Sequence, residues 1–196
     1  MDIKPIETHY KGYKFRSRLE AKWAVFFDAC GIEWDYEPEG YNLGDGIYYL
    51  PDFVLHNVKA KGFSGDLYVE VKGHMTEEDE VKIEKFYEVF SDNNELPVSK
   101  KPLLVVGNIP YGKDKIELFN SVGDIKKQQI GCSLYFSYVP IMGLYLDAIF
   151  SIDNNNKPRL TFFTYDENYW KINEEATIKA YQKAREARFE HGESPE

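Results

Sequence analysis

Cysteine is scarce in this chain: Cys30 and Cys132 are the only two, they stand far apart, and neither belongs to a CxxC or Cys/His pair. A zinc ribbon and a disulfide framework are therefore unsupported, and a reducing, intracellular setting suits the composition. Long apolar runs are missing too. The N-terminal MDIKPIETHYKGYKF lacks the apolar core of a secretion signal, and the most apolar stretch, Val139 to Phe150, is short and broken by Asp147. Neither a signal peptide nor a membrane span is expected, so the protein is read as cytoplasmic with no membrane partner. The glycines between 40 and 46 come without a Walker lysine or a following helix, which argues against a phosphate-binding loop. Positive charge is in deficit as well. Against 33 Asp and Glu stand 24 Lys and Arg, a net charge of −9 that repels nucleic acid unless basic residues gather locally.

What is present is an ordinary globular composition, 43% hydrophobic and 29% charged, which excludes a disordered or rod-like chain. A length of 196 residues suits one domain with a sizeable core, and no repeat, low-complexity tract or linker divides it, so residues 1–196 are read as a single unit. Leu19, Trp23, Phe26 and Cys30 recur at helical spacing, which predicts a helix from Arg16 to Cys30 ended by Gly31. Residues 32 to 55 alternate Tyr and β-branched residues with Pro and Gly and read as short strands joined by turns. In Asp66 to Lys72, Leu67, Val69 and Val71 face one way while Tyr68, Glu70 and Lys72 face the other. Thr76 to Phe90 opens on an N-cap and first-turn acids, so a second helix is expected there. Pro102 to Gly107 resembles a buried strand, Cys132 to Phe150 and Arg159 to Thr164 further strands around a turn at 153–158, and Glu174 to Phe189 a last helix released by Gly192 and Pro195.

Chemistry concentrates in three short segments: Glu20 on the first helix, Asp52 in Leu50-Pro51-Asp52-Phe53, and Glu70-Val71-Lys72. Hard carboxylate oxygens of this kind hold Mg²⁺ beside a scissile phosphate, and a nearby amine orients or deprotonates the attacking water. Glu70 and Lys72 share a strand face, and a strand begun by Pro51 could pair beside them and bring Asp52 to the same cation.

The order Pro51-Asp52 followed 18 residues later by Glu70-Val71-Lys72, with a helix-borne Glu20 upstream, resembles the PD-(D/E)XK nuclease superfamily. Arg16 to Ala24 is similar to the first helix of its phage-type and recombination-associated members. The resemblance covers residues 13 to 107. It implies a restriction-endonuclease-like α/β core, a mixed central sheet flanked by helices, with residues 108–196 adding extra C-terminal strands and a C-terminal helix. It further implies an Mg²⁺-dependent deoxyribonuclease, with Mn²⁺ as substitute, acting on duplex or branched DNA. Asp52, Glu70 and the Val71 carbonyl would hold the metal, Lys72 would be the catalytic lysine, and Glu20 would join through water or at a second metal. A homodimer is an expectation of the same kind. The rival expectation is a nuclease-fold protein without turnover that binds nucleic acid or a host or phage defence factor, with a protein partner on its C-terminal half.

Each residue also has a structural explanation. Ser17 to Glu20 is an S-x-x-E capping box, Asp52 fits a turn beside proline, and Glu70 and Lys72 fit the solvated face of an edge strand. Charge is segregated along the chain. Lys11, Lys14, Arg16, Arg18 and Lys22 give residues 10–22 a local balance of +4, whereas residues 28–52 carry −7. Lys14, Arg16, Arg18 and Lys22 are the candidate phosphate grip, and Tyr10, Tyr13 and Phe15 between them either stack on bases or pack. His74 is read as a surface histidine, and the basic residues from Lys179 onward as a solvated helix.

Overall fold

The helix expected from residue 16 begins at Arg18, because Ser17 is extended and its hydroxyl accepts the Glu20 amide as an N-cap; it is α1, Arg18–Cys30. Gly31, at φ 68°, closes it by donating to Asp28 while Ile32 donates to Phe27, a left-handed turn that favours glycine. The computed structural model describes residues 6–60, 63–90, 101–113, 132–135, 146–162 and 172–189. Expectations over 136–145, 163–164 and 192–195 lie outside them.

Before α1 come β1 (Thr8–Tyr10) and β2 (Tyr13–Phe15), a small hairpin. After it come β3 (Trp34–Tyr36), β4 (Tyr41–Asn42), β5 (Tyr48–Tyr49), β6 (Phe53–Ala60) and β7 (Phe63–Val71). Helix α2 spans Glu77–Phe90, followed by β8 (Leu103–Val106), β9 (Cys132–Tyr135), β10 (Leu146–Ile152), β11 (Pro158–Phe162) and helix α3 (Glu174–Glu186). Seven strands form one sheet in the order β11-β10-β9-β8-β7-β6-β3, antiparallel throughout except for β7 and β8, which run parallel across the α2 crossover. The fold is mixed α/β, with a mixed central sheet and three helices among the described residues.

Residues of opposite parity on β7 and β8 enter different layers. Val69, Val71, Leu104 and Val106 join the main core beneath α1 and α3, whereas Leu103 and Val105 join a second cluster with Ile83 and Phe86 of α2 and Leu43 and Tyr49 of the β4–β5 hairpin. β8 is therefore apolar on both faces, as a covered central strand must be. α1 is buried more widely than the single predicted stripe, since it also packs against α3: Phe26 stacks on Tyr181 at 4.2 Å, and the Tyr181 hydroxyl donates to the Phe150 carbonyl at 2.8 Å. Trp23 fixes α1 to the end of β8 by donating to the Gly107 carbonyl at 2.8 Å. No helix among the described residues is long and apolar enough to cross a membrane.

Candidate active site

Alternation along β7 sends Leu67, Val69 and Val71 into the main core and leaves Tyr68, Glu70 and Lys72 on the α2 face. β7 lies between β6 and β8, so Glu70 and Lys72 are not an edge-strand surface, and Glu70 is only 5% exposed. β6 pairs Phe53 with Val69 and Val54 with Tyr68, so one further step in that register sets Asp52 opposite Glu70 on the same face. Asp52 is 6% exposed and is no solvated turn residue.

The Val71 N–H donates to Asp52 Oδ2 at 2.7 Å. The amides of Tyr68 and Lys72 point the other way, to the Pro102 and Val106 carbonyls beside β8. Because N–H and C=O of a strand residue leave on one side, the Val71 carbonyl faces the Asp52 side as well. Glu70 Oε2 accepts the Tyr49 hydroxyl at 2.8 Å, and its Oε1 lies 2.8 Å from Lys72 Nζ. The same ammonium lies 2.8 Å from Asp79 Oδ1, in the first turn of α2.

Burial pushes the Asp52 carboxyl well above the usual range, and the charges of Glu70 and then Glu20 push it the same way, against the Val71 N–H and Lys72. Burial also raises Glu70, opposed by Lys72 and the Tyr49 hydroxyl. For Lys72 burial works downward, yet Glu70 and Asp79 outweigh it and hold the ammonium above its ordinary value.

Glu20 has the capping role and also lies near Asp52. Its Oε1 accepts the Ser17 hydroxyl at 2.7 Å, and its Oε2 accepts the Arg16 amide at 3.0 Å and the Tyr36 hydroxyl at 2.6 Å. The reach-back thus goes to the Arg16 amide, one residue earlier than a capping box of the usual form would send it. The two oxygens of Glu20 thus accept three donors.

Among the basic residues expected to grip phosphate, Lys14 is paired with Glu7 at 2.8 Å, Arg16 with Glu37, and Lys22 with the Arg185 carbonyl at 3.0 Å. Arg18 is exposed at the start of α1. Phe15 is fully buried and Tyr10 donates to Asp28 at 2.7 Å, so these two pack, whereas Tyr13 lies 5.0 Å from Trp34 and stays exposed.

Among the described residues, no three His, Cys, Asp or Glu side chains gather into a metal-binding group. Two opposed carboxylates with a carbonyl beside them nevertheless fit a hard cation that keeps most of its water, the usual state of Mg²⁺ at protein sites. Besides burial, the charges of Glu70 and Glu20 raise Asp52, and such a cation would neutralise them. Sequence reasoning missed Tyr49, Asp79 and Tyr36. Tyr49 stands three residues before Asp52 in a tyrosine-rich stretch without distinguishing marks, and Asp79 looks like any first-turn acid. No protein-family model matches the chain and no curated protein matches it, so a functional reading rests on this geometry.

Proposed function

We propose that the chain is a divalent-cation-dependent nuclease of the PD-(D/E)XK type, built on a restriction-endonuclease-like core and hydrolysing phosphodiester bonds in DNA. The observation that carries the proposal is the opposition of Asp52 and Glu70, two buried carboxylates on one sheet face, with the Lys72 ammonium 2.8 Å from Glu70. Asp52, Glu70 and the Val71 carbonyl would hold Mg²⁺ or Mn²⁺, which when bound polarises the phosphate and lowers the pKa of a water nucleophile. The chain's own residues do the rest. The Val71 N–H fixes which Asp52 oxygen remains for the cation, and Tyr49 fixes Glu70 from the hairpin side. Lys72, held between Glu70 and Asp79, is placed to orient the water or take its proton and to offset charge developing on the phosphate. Glu20, held by its cap and by Tyr36, adds negative charge and a place for an outer water.

The test is cleavage of single-stranded, duplex and branched DNA with Mg²⁺, Mn²⁺ or Ca²⁺. Mg²⁺ and Mn²⁺ should support cleavage and Ca²⁺ should not, and Asp52→Ala, Glu70→Ala and Lys72→Ala should each lose about a hundredfold or more of the rate, on the scale of losing a charge-stabilising group. Unchanged rates in these variants would overturn the assignment. A second reading, a nuclease-fold binding protein without turnover, is favoured by the pairing of Lys14 and Arg16 with acids and by the missing three-residue ligand group among the described residues. It predicts no cleavage of any substrate and no Mn²⁺ binding in the presence of DNA.

A further inference from the structure

We propose that Asp79 is a positioning residue of this site: it keeps the Lys72 ammonium in place when Glu70 turns its carboxylate from the lysine toward a bound divalent cation. The inference rests on the nuclease reading above and adds a residue outside the Pro-Asp and Glu-x-Lys segments. Lys72 Nζ sits 2.8 Å from Glu70 Oε1 and 2.8 Å from Asp79 Oδ1, midway between a strand and a helix. The two partners differ in what else they must do. Glu70 is opposite Asp52 and is needed by the cation, so its contact with the lysine is shared with another task.

Asp79 has no such conflict. Its Oδ2 is anchored by the Thr76 N–H at 3.0 Å and the Thr76 hydroxyl at 2.7 Å, and its own amide returns to the Thr76 hydroxyl at 3.2 Å. One oxygen is fixed at the helix end, and Oδ1 is held toward Lys72. A cap that needed only to start α2 would be complete with Oδ2. Without Asp79 the ammonium has Glu70 as its carboxylate partner and competes with the cation for it. Positioning by Asp79 therefore acts through Lys72, on metal affinity as well as on rate.

A double-mutant cycle on Mn²⁺ affinity tests this, using calorimetry on the full chain with wild type, Asp79→Asn, Lys72→Met and the double variant, alongside steady-state cleavage of duplex DNA. Asp79→Asn should weaken Mn²⁺ binding about tenfold and lower kcat about tenfold, with KM for DNA changed less than about twofold. In the Lys72→Met background the same substitution should leave Mn²⁺ affinity within about twofold, because no ammonium remains to be held. An equal loss in both backgrounds would show a charge or folding effect and overturn the proposal, as would wild-type Mn²⁺ affinity in Asp79→Asn. A wild type that neither binds Mn²⁺ nor cleaves DNA overturns the nuclease reading and this inference together. A cleaving wild type with an uncoupled cycle overturns this inference alone.

Discussion

Asp52 holds its carboxylate at 6% exposure with the Val71 N–H on one oxygen, while Glu70 and Glu20 bring like charge toward it. Such an arrangement costs folding stability wherever the group is ionised. The folded-state pKa lies above the ordinary value near 3.8, so the folded protein keeps this proton when the unfolded chain has released it. Stability is consequently lost as pH rises from that ordinary value through the raised one, and the loss is complete above it. Without divalent cation, wild-type Tm should fall as pH rises above the ordinary carboxylate value more steeply than that of Asp52→Asn, and at neutral pH the variant should melt higher, by about 2–4 °C for each kcal/mol released. Thermal unfolding of both proteins in chelator decides it; a variant less stable than wild type at neutral pH would show that the carboxylate is well solvated.

At this scale sequence reasoning named Glu20, Asp52, Glu70 and Lys72 and recognised the cap on Glu20, because each residue type announces its chemistry. It could not see Tyr49 or Asp79. A tyrosine hydroxyl and a first-turn aspartate acquire their meaning from what they touch, and both contacts are made between separate elements.

Whether Asp52 reaches the Glu70 face is decided by an irregularity in β6. Toward the end of β6, Val58 pairs with Gly65 and Ala60 with Phe63; that register, continued, would set Phe53 opposite Glu70 and turn Asp52 toward the α1 face. A bulge between Leu55 and Val58 inserts one residue and moves the pairing by one, which restores Asp52 to the face of Glu70. Asn57 enters it at φ 55°, and His56 is tied to both neighbouring strands, with Nε2 3.0 Å from Asp35 and Nδ1 3.3 Å from Asp66. Asparagine tolerates that backbone conformation and a β-branched residue does not. Asn57→Gly should keep near-wild-type stability and cleavage, whereas Asn57→Val should cost about 1–3 kcal/mol in denaturant unfolding and lower the cleavage rate. Equal behaviour of the two variants would detach the bulge from the site.

Helices and buried strands were readable because their apolar periods are set locally: α1, α2, α3, β7 and β8 fall within a few residues of expectation. The bulge was not readable, since His56-Asn57 carries no hydrophobic signal and the spacing from Asp52 to Glu70 is compatible with either register.

Over the whole molecule the net charge is −9, and Lys14 and Arg16, just ahead of α1, are paired with acids. The segregation of charge along the sequence was legible, but its cancellation in space was not, because Glu37 and Glu7 reach Arg16 and Lys14 only after folding. In the nuclease reading, attraction for DNA then comes largely from the cation that Asp52 and Glu70 recruit, so binding should depend on divalent metal more than on Lys and Arg. Crystals soaked in Mn²⁺ and measured for anomalous scattering should show a peak within bonding distance of the Asp52 and Glu70 carboxylates, absent in Glu70→Gln; no peak there, or one that persists in that variant, would mean that these two carboxylates hold no metal.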